Sequence, residues 1–72
     1  MDIRDEITIQ NLRRPVAGWQ VRGFRASEDR FFVGDDLKDQ AGGYATALAQ
    51  RHFVPLEWLP VQPAPKNLML SN

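Results

Sequence analysis

The first regular pattern in the chain is alternation. Ile7-Thr8-Ile9-Gln10 sets β-branched apolar residues against polar ones. A period of two predicts a short strand with one buried face. Arg13-Arg14-Pro15-Val16-Ala17-Gly18 breaks the alternation, and Pro15 with Gly18 predicts a turn. Alternation resumes in Trp19-Gln20-Val21-Arg22-Gly23-Phe24-Arg25. Trp19, Val21, Gly23 and Arg25 share one face of that strand, and Gln20, Arg22 and Phe24 share the other. Ala26-Ser27-Glu28-Asp29 is polar and turn-forming. Arg30-Phe31-Phe32-Val33, closed by Gly34, predicts a third strand. Connections this short imply an antiparallel meander.

The period then changes. Leu37, Ala41, Tyr44, Ala45, Leu48 and His52 recur at helical spacing and form one largely apolar stripe. Asp35 and Asp36 precede it, where a side-chain acceptor and negative charge suit a helix N-terminus. Gly42-Gly43 interrupts the stripe at about 1 kcal/mol per glycine. The predicted helix therefore runs from Gly43 to Phe53, with a looser turn before it. Val54-Pro55 ends it, because the residue before a proline avoids the α region. Pro55, Pro60, Pro63 and Pro65 follow within eleven residues. Leu56, Trp58, Leu59 and Val61 are expected to cover the sheet or the helix. The predicted fold is α+β: a three-stranded antiparallel sheet packed against one C-terminal helix, followed by a Pro-rich tail. Residues 1–61 form the expected domain, and 62–72 an extended, flexible tail.

At 72 residues there is room for one domain. A chain of this length buries roughly 60% of its unfolded surface and is marginal alone. The sequence has no cysteine, so no disulfide staples it and no thiolate binds metal. The N-terminal residues are charged and lack the apolar core of a signal peptide, and no apolar run is long enough to span a membrane. A cytoplasmic location is the expectation. The formal net charge is zero, yet residues 13–30 carry five bases and two acids between acidic flanks. That distribution suits local recognition better than bulk electrostatic attraction.

The sharpest chemistry lies from Arg13 to Gly34, where five arginines interleave with Trp19, Phe24, Phe31 and Phe32. Arg22, Arg25 and Arg30 on paired strands could present guanidinium forks to phosphates or guanine edges. The alternative is a solvated face on which Glu28 and Asp29 pair those arginines. Trp19 could stack on a base, or it could close the sheet against the helix. His52 is the only histidine and has no ligand set around it, so packing or helix C-capping is its expected role. Asp35, Asp36 and Asp39 lack the ligand spacing of a calcium loop. Gly42-Gly43 lacks the Lys-Ser/Thr of a phosphate loop. Ser27 and Ser71 have no base partner. The expectation is a protein that is not an enzyme, with no cofactor and no metal.

Gly18-Trp19-Gln20-Val21-Arg22, then Arg30-Phe31-Phe32, Gly42-Gly43 and Ala47-Leu48-Ala49 follow an order with a precedent. It resembles the ethylene-response-factor-type (APETALA-type) DNA-binding domain, as carried by phage proteins and some integrases. The resemblance covers roughly residues 5–53. It implies a three-stranded sheet packed on a helix, docking in the major groove of double-stranded DNA through arginines and tryptophans. Carried over, the DNA-binding set is Arg13, Arg14, Trp19, Arg22, Arg25 and Arg30. The chain departs from the family where a basic hairpin becomes Ala26-Ser27-Glu28-Asp29 and where helix lysines are absent. A second function therefore stays open: a small phage- or mobile-element-type module that binds, and inhibits or adapts, a host protein.

Overall fold

Ile7 and Ile9 lie on the inner face of the first strand, β1 (Ile7–Leu12). The computed structural model describes residues 3–61. A turn containing a cis Arg14–Pro15 peptide leads into β2 (Gly18–Arg22), which pairs antiparallel with β1. A 3₁₀ turn at Ala26–Glu28 leads into β3 (Arg30–Val33), antiparallel to β2. A second 3₁₀ turn, Asp35–Leu37, precedes α1 (Lys38–His52), and β4 (Leu56–Trp58) follows the helix. The sheet order is β3-β2-β1-β4, with β4 parallel to β1.

The α+β class and the three-strand meander hold, but two parts of the expected architecture are corrected. The helix sits mid-chain, and a fourth strand makes the sheet mixed. Leu56-Glu57-Trp58 is itself a period-two segment. Leu56 and Trp58 pair beside Ile7 and Ile9 on the helix side, and Glu57 faces out. Pro55 and Pro60 bracket the strand, where a missing N–H is tolerated. Ile7 N–H donates to the Pro55 carbonyl at 2.9 Å, and Leu59 N–H to the Ile9 carbonyl at 2.9 Å.

The helix also starts earlier than its stripe predicts. It runs straight through Gly42-Gly43 because the Trp58 ring lies over Gly42. A Cβ there would stand 3.2 Å from the ring. Asp35 and Asp36 fall in the 3₁₀ turn, and the start of α1 has no side-chain cap hydrogen bond. Strand β2 stops at Arg22, short of the predicted Arg25. Gly23 passes so close to the 3₁₀ turn and the helix that a Cβ would sit 2.5 Å from Glu28 Cβ in the turn and 3.2 Å from Leu48 Cδ1 in α1. Phe24 consequently packs with the core on the helix side, away from Gln20 and Arg22.

Ile7, Ile9 and Val21 from the sheet meet Ala41, Ala45, Leu48 and Ala49 from the helix. Three alanines let the helix approach closely, and Leu48 is the one large side chain it buries. Trp19, Phe32, Tyr44, Val54 and Leu56 pack around this centre. The expected tail at 62–72, including Leu68, Met69, Leu70 and Ser71, lies outside the described residues. Among the described residues no helix is long and apolar enough to cross a membrane.

The helix ends in a Schellman arrangement. Phe53 N–H donates to Gln50 O and Val54 N–H to Ala49 O. Phe53 takes the left-handed position, φ 55°, where glycine is usual, and its side chain is 95% exposed. A left-handed non-glycine residue costs roughly 1–2 kcal/mol. Phe53→Gly is therefore expected to raise stability by about 1 kcal/mol in urea denaturation, since the ring contributes almost no burial. Leu48→Ala, by contrast, should lower it by about 2–5 kcal/mol through lost burial and a cavity. A loss under about 1 kcal/mol would show that Leu48 does not anchor the core.

Candidate functional site

The six residues expected to meet DNA do not form one surface. Thr8 pairs with Arg22 and Leu12 with Gly18, so Arg13 and Arg14, which follow Leu12, lie at the opposite end of the sheet from Arg22. Four strand residues separate those ends, about 13 Å. Arg22 is exposed on the sheet face away from the helix, in a shallow hollow with Arg4, Asp5, Glu6 and Thr8. Arg30 lies on the helix side, its guanidinium 5.3 Å from the Tyr44 ring centroid and 5.9 Å from that of Phe32. Arg25 stands 5.7 Å from the Phe24 ring.

Trp19 is half-buried on the helix side. Its Nε1–H donates to the Asp35 carbonyl at 3.0 Å, and its ring meets Trp58 edge-on, centroids 6.2 Å apart. Lys38 Nζ lies 6.0 Å from the Trp19 ring and 5.7 Å from Trp58, a cation–π arrangement. Trp19 thus closes the sheet against the helix. Asn11, which the sequence pattern does not mark, is buried beneath this corner. Its Nδ2 donates to Gly18 O at 2.9 Å and to Asp35 Oδ1 at 3.0 Å, tying the β1–β2 turn to the start of the helix.

Glu28 and Asp29 pair with other groups than the arginines of the strands. Asp29 Oδ1 accepts from Arg4 Nη1 at 2.6 Å and from Gly23 N–H at 2.9 Å. Glu28 Oε1 accepts from Phe24 N–H at 2.9 Å, and Oε2 lies 2.8 Å from His52 Nε2. The Glu28 carbonyl accepts from Tyr44 Oη at 2.7 Å. His52 stacks on Phe24 with centroids 4.3 Å apart, which is the packing role expected of it. Burial pushes the Glu28 carboxyl up, but hydrogen bonds from His52, Phe24 and Arg25 outweigh it and hold it below its usual value. Burial likewise raises Asp29, and the bonds from Arg4 and Gly23, with the nearby charges of Arg4 and Arg22, bring it below its usual value.

The face of the sheet away from the helix has a different character. Register places Thr8, Gln10 and Leu12 of β1 there, with Gln20 and Arg22 of β2, Phe31 and Val33 of β3, and Glu57 of β4. No described element covers it. At one end Leu12, Pro15, Val16, Gln20 and Phe31 line a shallow apolar hollow. Val16 is 47% exposed and Val33 63%. The signal was present in the sequence as parity: Leu12 falls on the side of Thr8 and Gln10, and Phe31 and Val33 fall on the side of Gln20. Among the described residues no group of three or more metal-ligating side chains comes together.

No family model, curated protein or solved structure matches the chain.

The two depressed carboxyls set a pH dependence. Their folded-state values lie below the unfolded ones, so each stabilises the fold fully above its ordinary value, 4.5 for Glu28 and 3.8 for Asp29. That contribution is lost as pH falls below those values toward the folded ones. The urea midpoint should therefore drop between about pH 6 and about pH 3. Glu28→Gln should drop less over the same interval and start lower at pH 6. An equal acid loss in both proteins would show that Glu28 carries none of it.

Proposed function

We propose that this protein is a non-catalytic binding module that takes the apolar surface of a partner protein on its open sheet face and inhibits or adapts that partner. The observation that carries this is the cluster of Leu12, Pro15, Val16 and Phe31 around Gln20, continued by Val33, on a face that nothing described covers. Single exposed apolar side chains are ordinary on protein surfaces, but contiguous ones mark interaction sites. Arg13 and Arg14 adjoin the cluster in sequence, so an apolar partner surface with an acidic rim fits it best.

The charges favour a protein over a duplex. Affinity for DNA rises with the number of phosphates neutralised together. Among the described strand residues of this face Arg22 is the one cation, and it shares its hollow with Arg4, Asp5 and Glu6. Arg25 and Arg30 lie against aromatic rings instead.

Two measurements test the proposal. A photoreactive residue at Gln20 should give a discrete adduct with one partner protein in cells, and Val16→Asp should abolish it. The same residue at Gln40, exposed on the helix, should give none. Equal adducts from both positions would overturn the assignment of the face. Fluorescence anisotropy with duplex DNA at low salt should show no binding at micromolar protein. Binding that weakens with salt at a log–log slope near about −3 would replace the proposal with DNA recognition.

A further inference from the structure

Among the described residues strand β3 ends the sheet, and its hydrogen-bonding parity determines what the edge away from β2 offers. Gly34 N–H donates to Ala17 O at 2.9 Å, which marks Ala17–Gly34 as a hydrogen-bonded position of the β2–β3 ladder. Bonded and non-bonded pairs alternate along an antiparallel ladder. Trp19–Phe32 and Val21–Arg30 are then bonded pairs as well. Phe31 and Val33 are the non-bonded positions, so their main-chain N–H and C=O groups point away from β2 to the free edge. Their side chains lie on the open face and are 38% and 63% exposed. An edge strand with outward amides and apolar side chains is a template for another strand.

We propose that β3 pairs antiparallel with β3 of a second copy, Phe31 of each chain opposite Val33 of the other. This goes beyond the partner-binding function and does not depend on it, because the dimer forms with no other protein present. The edge is self-complementary in this register. Each copy supplies two residues whose amide and carbonyl groups face the other, giving four main-chain hydrogen bonds. The twofold axis passes through facing Phe32 residues and keeps both helices on one side of a continuous sheet. Charge agrees. Arg30 comes opposite Gly34 of the other copy, and Asp36 Oδ1 lies 2.8 Å from where a Gly34 Cβ would stand. Each Arg30 thus approaches a carboxylate.

The neighbouring register, Phe31 opposite Phe31, is poorer. It sets Val33 against Asp29, whose N–H already donates to Ala26 O. The favoured register also joins the two apolar patches into one, with Phe31 and Val33 of both chains at its centre. A contact this small falls below the roughly 1,000 Å² of stable interfaces, so the dimer is a weak one.

Cysteine cross-linking reads the register directly, since the chain has no cysteine of its own. Phe31→Cys and Val33→Cys are made separately. Their Cα atoms would lie about 5.5 Å apart across a bonded pair, within the reach of a disulfide. Two copies of the same variant would be offset by two residues, over about 8 Å apart and out of reach. On oxidation, the mixture should yield a covalent dimer and each variant alone should not. Cross-linking of either variant alone, or none in the mixture, would overturn the proposal.

Sedimentation of the unmodified chain from about 10 µM to about 1 mM should show a concentration-dependent dimer. Val33→Pro removes only an edge-directed N–H and should stay monomeric. If Val33→Pro does not fold, Val33→Lys serves the same purpose. A chain monomeric throughout would leave the edge to an extended segment of another protein and overturn the dimer.

Discussion

The paired carboxylates of Glu28 and Asp29 organise one end of the molecule. Strand β2 ends at Arg22, and the chain must reverse into β3 while passing against the helix at Gly23 and Leu48. Main-chain N–H groups in such a reversal have no ladder partner and are costly if left unmet. Asp29 takes the Gly23 amide, and Glu28 takes the Phe24 amide. The same two side chains then reach outward, Asp29 to Arg4 ahead of β1 and Glu28 to His52 in the last turn of α1. One turn thereby joins the N-terminal segment, the meander and the helix. Hydrogen bonds to ionised acceptors are the stronger kind, roughly 1.5–3 kcal/mol each.

Such a polar junction matters because the apolar core is thin. Its large fully buried side chains are Ile7, Ile9 and Val21. The helix contributes mainly alanines, which bring its backbone close to the sheet while burying little area of their own. Aromatic rings at the periphery make up the difference. Phe24 stacks on His52, Phe32 tilts against Tyr44, and Trp58 covers Gly42 and meets Trp19. The fourth strand belongs to this scheme. Without Leu56 and Trp58, the outer flank of β1 would stand open beside Ile7 and Ile9.

What was legible in the sequence was legible through periodicity. Alternation around Ile7, Val21 and Phe32 located three strands, and the Ala41–Leu48 stripe located the helix face. Three features escaped for physical reasons. Strand β4 is three residues long and bracketed by prolines, so composition pointed to an irregular cover over the sheet or the helix although Leu56-Glu57-Trp58 alternates. The helix start was hidden because glycine's intrinsic cost is local, whereas the contact that rewards Gly42 comes from Trp58, distant in sequence. Phe24 changed sides because β2 stops early, and a strand end cannot be read from alternation that continues past it. For the candidate site, the sequence identified the arginines but not their directions. Their grouping along the chain suggested one surface, and the register separates them by face and by end of the sheet.

The parity that builds the core also builds the exposed surface. A strand offers every second residue to the helix, and the intervening residues must face elsewhere. In β1 those residues are Thr8, Gln10 and Leu12, and only Leu12 is apolar. In β3 they are Phe31 and Val33, and both are apolar. Folding places no demand on Phe31 or Val33, since neither belongs to the buried cluster. A lysine or threonine would serve solubility better at each position and would blunt the strand edge. The residues that run against solubility lie on the one strand that is both at the sheet's border and beside the Leu12–Val16 hollow. Apolar side chains and outward main-chain groups thus coincide on β3, which gives that strand a face to cover and an edge to pair.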